Sequence, residues 1–513
     1  MTAIFNLSIS SGVFPDLWKT AKVSPLHKDG SLFDRSNYRP ISVLAVVSKI
    51  LERHVHQTFY YFLSQHDLLL DSQFGFRSSR SCELAIADLS DNILTNMDNK
   101  LLNGLLLVDL KKAFDLVDHD TLLNKLRIYG CSHSTMVWFR SYLSGRSQKT
   151  QFRGTLSEAL PVSVGVPQGS ILGPLFFIIH INDLPLELHS DVTSTMLADD
   201  TTILVRGPSV TSLSTQLNEV ARTVSTWADN NRMSLNTTKT KSLLITTLQK
   251  RRTLTSSALN VQIDGRSIEQ VDYAKMLGVM IDSDMSWEHH IDTICCIISS
   301  RLSLLRRIKP YLNFDSALRF YNSCVNNYFI YCSAAWGNCS HHLLLRLLRL
   351  QKRAGRILLD ADLSQASISL FLKLNWIPVF DLIKYRKLFL LFIVLLNPNA
   401  PKCLRNRFQF LCDSRGPLGR FTRASLYDLK VPCPHSNSGK RTLAYSATKN
   451  FKDLSSELKE FSISSSPLIF KFLPSSLKSK LRSLFLSRSI IGRALEDLLC
   501  STCRYSIHCH CFS

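Results

Sequence analysis

Two aspartates stand side by side in Leu197-Ala198-Asp199-Asp200, between the β-prone stretches Thr193–Met196 and Thr201–Val205. That placement predicts the tip of a β-hairpin, where glycine or asparagine would be the usual occupants. Adjacent carboxylates repel each other, and a fold accepts the repulsion most readily when a cation lies between them. A third acid, Asp109, ends the apolar run Leu105-Leu106-Leu107-Val108 in an equivalent strand-end position. Three carboxylates from two strand ends can hold a pair of Mg²⁺ ions for in-line phosphoryl transfer. An isolated Asp-Asp pair is usually a solvated turn, so the weight rests on what surrounds it.

The surroundings form an ordered series. Pro25-Leu26-His27-Lys28, Asn37-Tyr38-Arg39-Pro40-Ile41-Ser42 and Gln73-Phe74-Gly75-Phe76-Arg77 come first. Val108-Asp109-Leu110-Lys111-Lys112-Ala113-Phe114-Asp115 and Gly165-Val166-Pro167-Gln168-Gly169-Ser170-Ile171-Leu172-Gly173-Pro174 precede the Ala-Asp-Asp turn. Leu235-Asn236-Thr237-Thr238-Lys239-Thr240 and Met276-Leu277-Gly278-Val279 follow it. In order and spacing the set resembles the reverse transcriptase of non-LTR (LINE-type, jockey-like) retrotransposons, through most of the chain. Tyr331-Cys332-Ser333-Ala334-Ala335-Trp336-Gly337 and Gln351-Lys352-Arg353-Ala354 also look more LINE-like than telomerase-like or maturase-like.

The resemblance implies an α+β right-hand polymerase. Its fingers would occupy 1–100 and its palm, with a split βαβ core, 101–284. A helical thumb would occupy 285–400, and a mostly helical C-terminal region of open fold the rest. The implied activity is RNA-directed DNA polymerase, moving a nucleotide from a dNTP to a primer 3′-hydroxyl on an RNA template. Mg²⁺, with Mn²⁺ as substitute, would be held by Asp109, Asp199, Asp200 and the Leu110 backbone carbonyl. Lys239 would protonate the leaving pyrophosphate, with a plain phosphate contact as the alternative. Phe114, five positions after Asp109, would lie under the sugar and exclude a 2′-hydroxyl, unless it is simply a core ring. Gln168 would contact the nucleotide sugar region or position the template and Gly169 would contact the nucleotide, with Gly165 and Gly169 allowing the backbone close approach. Lys28 and Arg39 would grip the triphosphate. Arg77 would touch the template, and Leu277-Gly278 would form the primer-gripping hairpin.

Elements that must position these groups can also be read from periodicity. Ser48–Leu63 and Cys82–Met97 have helical spacing, and Asp120 can cap a helix over Thr121–Tyr129 that Gly130 ends. In the Leu344–Leu358 helix, Arg346, Arg349, Arg353 and Arg356 fall within an arc of about 80°. Leu344, Leu347, Leu348 and Leu358 lie opposite, so the arginines fit a phosphate track, a protein partner being the alternative. The longest apolar run, Leu388–Leu396, is far short of the roughly 20 residues of a membrane span and reads as a buried helix.

A net charge of +21 favours a polyanionic partner, nucleic acid first. The expected partners are an RNA template, a DNA primer and a dNTP, with no membrane. The fourteen cysteines show no regular framework and no secretory leader precedes them. The expectation is an intracellular chain, in the nucleus or in a cytoplasmic ribonucleoprotein. Cys500-x-x-Cys503-x₄-His508 begins a zinc-knuckle spacing, but Ser513 stands where the last cysteine would fall. A frayed Cys/His-rich terminus is favoured over a degenerate knuckle. No Asp/His/Asn nuclease constellation fits before Trp18, so the expectation is a polymerase module, or a 5′-truncated or partial copy, without its own target-nicking activity. A separate endonuclease or RNA-binding protein of the element would supply what it lacks. Leu197 and Met276 replace usual aromatics and His180 a common tyrosine, which leaves a catalytically silent RNA-binding descendant as the competing reading.

Overall fold

The structure, a computed structural model, describes residues 1–28, 30–411, 428–454 and 477–487. The chain divides into two compact units. One comprises Met1–Arg77, Gly104–Leu244 and Ser256–Val271; the other takes Ser78–Asn103, Ile245–Thr255 and the described residues from Asp272 onward.

Among the described residues, the first unit carries two five-stranded sheets and a small two-stranded one, Gln262–Ile263 with Arg266–Ser267. β1 (Thr20–His27) and β2 (Tyr38–Val43) form an antiparallel hairpin. β3 (Leu102–Val108) belongs to the second sheet. β4 (Arg146–Phe152) runs parallel to β1, and β5 (Thr155–Leu156) and β6 (Leu160–Val162) both pair with β4. β7 (Thr193–Leu197) and β8 (Asp200–Gly207) make the hairpin expected around the paired acids. β9 (Lys241–Ile245), the short β10 (Gln262–Ile263) and β11 (Arg266–Ser267), and β12 (Glu269–Gln270) follow. The second sheet runs β12-β9-β3-β8-β7. Its central strand β3 is an apolar run buried almost throughout, as a strand covered on both faces must be. The Val210–Asn230 helix, capped by Ser209, packs on β8 through Leu213, Leu217, Val220, Ala221 and Val224. That spacing is a single helical face. Together these elements are the α+β palm-and-fingers architecture that the motif order implied.

Helix starts follow the local chemistry more closely than the sequence pattern did. Asp118, not Asp120, caps the His119–Ile128 helix: its Oδ1 accepts the Thr121 N–H at 2.9 Å and hydroxyl at 2.8 Å, while Asp120 is exposed. The helices expected over 48–63 and 82–97 are present as Val46–Gln65 and Cys82–Asp98.

The second unit is mostly helical. It contains the hairpin β13 (Tyr273–Met276) and β14 (Val279–Asp282) and helices at Glu288–Ile308, His341–Leu359 and Val379–Leu396. Leu388–Leu396 is the C-terminal half of the last of these, with Leu388, Leu390, Leu391, Phe392 and Val394 buried. Cys82–Asp98 groups with this unit. Its Glu83, Asp88 and Asp91 are tied to Arg386, Arg407 and the Leu443 amide. The Cys500–His508 cluster lies outside the described residues.

Candidate active site

Asp109 follows the last residue of β3, and the Leu235–Thr240 segment holds its backbone. The Asn236 N–H donates to the Asp109 carbonyl at 2.8 Å, and the Asp109 N–H donates to the buried Thr240 Oγ1 at 3.2 Å. Leu110 makes a one-residue antiparallel bridge with Leu235, so its carbonyl, the expected metal ligand, is on a fixed backbone. Lys239 lies in the same segment with its side chain exposed.

In the hairpin, Leu197 pairs with Asp200, so Ala198-Asp199 is a two-residue loop. Ala198 has φ +56°, in the left-handed region. For a residue with a Cβ this costs roughly 1–2 kcal/mol, and such strain clusters at functional sites. β3 and β8 are neighbours, which puts Asp109 and the Asp199-Asp200 turn on one sheet. Burial holds the Asp199 carboxyl above its ordinary range; its own backbone N–H lowers it and the Asp109 charge raises it. Asp200 is raised by burial first, then by Asp199 and Asp109. Lys28 and Arg39 oppose both shifts, so these two exposed cations of the β1–β2 hairpin act on the acids.

The three carboxylates sense one another without converging. Among the described residues, no three His, Cys, Asp or Glu side chains are gathered tightly enough to hold a metal ion as they stand. The donor set is nonetheless all hard oxygen, the type that divalent Mg²⁺ takes, and the mutual repulsion is of the kind a cation relieves.

On the nucleotide side, the ring of half-buried Phe114 stacks on Phe177 at 4.2 Å and meets the edge of Phe76 at 6.1 Å. Gln168 Nε2 donates to Asp115 Oδ1 at 2.9 Å, and its carbonyl accepts the Ser42 N–H at 2.7 Å. Gly169 has φ +131°, and a Cβ there would meet the Ser42 carbonyl at 2.3 Å, so glycine is required. A cavity of about 420 Å³ opens against this loop, lined by Ser42, Lys112, Asp115, Arg146 and Gln168 among others. The Leu172–His180 helix after the loop is anchored by Glu52, whose carboxylate accepts the Ile171 and Leu172 N–H groups at 2.8 and 3.3 Å.

Arg77 does not present a free guanidinium to a template. Its Nη1 donates to the Leu70 carbonyl at 2.5 Å and to the Gln73 carbonyl at 3.4 Å, which holds its own loop in shape.

The remaining expected contacts are in the second unit. Leu277 and Gly278 form a two-residue turn with φ +47° and +82°, the twist that β-hairpins favour. Tyr331 Oη donates to the Leu277 carbonyl at 2.6 Å, so the Tyr331–Gly337 motif carries the hairpin's support. Along His341–Leu359 the leucines at 344, 347, 348 and 358 are buried as expected. Most of the arginines of the stripe also have partners within the protein. Arg346 pairs with Asp292 at 2.6 Å, Arg353 donates to Ser303 Oγ at 3.3 Å and Arg356 to the Leu363 carbonyl at 3.5 Å. Arg349 alone of the four is exposed.

Gln73, Glu52, Thr240 and Tyr331 were not among the residues singled out from sequence. Gln73, Thr240 and Tyr331 lie inside motifs that were, while Glu52 carries no local signal.

Strand-end acids thus share one sheet, and two cations of the β1–β2 hairpin act on them. Residues 26–281 match the family described as reverse transcriptase (RNA-dependent DNA polymerase), and this part of the chain belongs to it. Curated relatives include RNA-directed DNA polymerases of mobile elements. The chain is 28% identical over 386 residues to the probable RNA-directed DNA polymerase from transposon BS of Drosophila melanogaster, covering 73% of this chain and 42% of that protein. It is 29% identical over 301 residues to the RNA-directed DNA polymerase from mobile element jockey of the same organism, covering 57% and 32%. The chain thus spans less than half the length of these relatives. Among solved structures, a telomerase from Candida albicans in complex with a telomeric RNA fragment is similar over 72% of this chain and 70% of its own. Its TM-score of 0.42 and 13% identity are too weak to define the fold, which rests on the sheet topology.

Proposed function

We propose that this chain is the RNA-directed DNA polymerase of a non-LTR retrotransposon, extending a DNA primer along an RNA template from dNTPs. The observation that carries the reading is the placement of Asp109, Asp199 and Asp200 on one sheet, electrostatically coupled to one another and to Lys28 and Arg39. Asp109, Asp199, Asp200 and the Leu110 carbonyl would hold two Mg²⁺ ions, which supply activation of the primer hydroxyl and charge neutralisation at the triphosphate. Lys28 and Arg39 bind the triphosphate from the β1–β2 hairpin, Phe114 and Gln168 line the sugar, and Lys239 supplies a proton or a phosphate contact. No helix among the described residues is long and apolar enough to cross a membrane. The site of action is the nucleus or a cytoplasmic ribonucleoprotein, with a separate endonuclease of the element as a partner.

Extension of oligo(dT) on poly(rA) with dTTP and Mg²⁺ is the test. The wild-type chain should extend the primer, and Asp199→Asn should abolish extension while retaining RNA binding. RNA binding by a wild type that extends nothing with Mg²⁺ or Mn²⁺ would establish the silent descendant instead.

A further inference from the structure

The Ala198-Asp199 loop needs something to hold it, because Ala198 carries a Cβ at φ +56° next to three mutually repelling carboxylates. The Ser72–Gly75 segment lies directly beneath it. Gln73 pairs with Met196 in a parallel bridge, the Met196 N–H donates to the Ser72 carbonyl at 2.8 Å, and the Phe74 N–H donates to the Met196 carbonyl at 2.7 Å. Gln73 itself is 1% exposed. Its Oε1 accepts two backbone donors, the Gly75 N–H at 2.7 Å and the Ala198 N–H at 3.0 Å. Two converging donors fix which end of the amide faces the turn. The Nε2 end is buried without a partner among the described residues, so the acceptor is the end this position uses. Gly75 completes the fit: a Cβ there would meet the Ala198 nitrogen at 2.4 Å.

We propose that Gln73 is a positioning residue for catalysis, its side-chain carbonyl locking the Ala198 amide and thereby the direction of the Asp199 carboxylate. This rests on the polymerase reading above. Gln73 touches no substrate; it acts through the backbone of the turn. Removing the acceptor leaves two buried N–H groups unsatisfied and lets Ala198 relax toward negative φ.

The near-isosteric Gln73→Met is the informative variant, studied alone and combined with Ala198→Gly, since glycine adopts positive φ without a clamp. With Gln73→Met, kcat for primer extension should fall about 100-fold, while KM for dTTP stays within about threefold. Half-saturation by Mg²⁺ should rise about tenfold or more, as when a supporting hydrogen bond behind a ligand is lost. Adding Ala198→Gly should recover at least a tenth of the lost kcat, which a general packing defect would not allow. Hydrogen exchange at the Ala198 amide, which needs no activity, should accelerate about tenfold in Gln73→Met with the β3 amides unchanged. Wild-type kcat, Mg²⁺ midpoint and Ala198 exchange in Gln73→Met would overturn the proposal. So would activity loss with deprotection throughout the sheet and no recovery by Ala198→Gly. If the wild type itself extends no primer, the polymerase reading fails, and Ala198 exchange together with Mn²⁺ titration still decides whether the clamp exists.

Discussion

At the scale of single residues, Phe114 is the position where chemistry and packing can be separated. Its ring is half exposed, with one face on Phe177 and an edge contact to Phe76, so a smaller side chain opens space on the exposed side and leaves Phe177 in the core. Phe114→Val should raise the ratio of rNTP to dNTP incorporation at least about tenfold, or about 1.4 kcal/mol of discrimination. Competition between the two nucleotides in primer extension measures this, and an unchanged ratio in an active variant would return Phe114 to a purely structural role. The acids were legible in the sequence because adjacent aspartates at strand ends are a local anomaly. Gln73, Glu52 and Thr240 were not, because each acts on a backbone amide well over a hundred positions away: 125 for Gln73 to Ala198, 119 for Glu52 to Ile171 and 131 for Thr240 to Asp109. No spacing rule reaches that far.

At the scale of elements, periodicity identified faces but not what the faces meet. The His341–Leu359 helix buries its leucines as its pattern demands, yet three of its four aligned arginines bond to Asp292, Ser303 and the Leu363 carbonyl. A sequence shows that charges share an arc; it does not show that an aspartate on another helix waits beside them. Arg349 and Arg346 should therefore behave differently when changed to alanine. Loss of Arg349 should flatten the log–log salt dependence of RNA–DNA hybrid binding by a little under one unit. Loss of Arg346 should leave that slope unchanged and reduce stability by less than about 1 kcal/mol, since its ion pair is half exposed. Salt titrations of the two variants decide it, and equal slopes in both would deny Arg349 a phosphate. The cap of the His119–Ile128 helix illustrates the same limit at one residue's resolution. Asp118 and Asp120 are both competent caps by type, and only the backbone direction selected Asp118.

At the scale of the whole chain, the palm was legible because its motifs occur in order, while the allocation of segments to units was not. Cys82–Asp98 is nearly all buried in the unit whose other segments are Ile245–Thr255 and the described residues from Asp272 onward. Its Glu83 and Asp91 carboxylates are pushed up by burial and pulled down by Arg386 and Arg407 respectively. A chain ended at residue 281, where the family match stops, would lack both arginines and the Leu443 and Ala444 amides that Asp91 accepts. Stranding a buried carboxylate in this way costs roughly 3–5 kcal/mol. Such a shortened chain should lose near-ultraviolet circular dichroism and a cooperative thermal transition, even though every catalytic acid is present. A cooperative transition like that of the full chain would show that the helix stands without its late partners.

Synthesis from the ribosome meets the same arrangement in time. The partners of Glu83, Asp88 and Asp91 lie 303, 319 and 352 residues downstream. At about 5–20 residues per second, the helix emerges on the order of 15–70 s before they do. The helices that pack on it include Ser333–Trp336, Lys402–Arg405, Asn437–Lys440 and Leu443–Lys452, all made later, while Leu84, Ile86, Leu89, Ile93 and Leu94 are buried in the finished protein. This helix is thus a stretch of the nascent polypeptide open to premature association, and folding yield depends on how well cellular chaperones shield it until translation has passed Leu443.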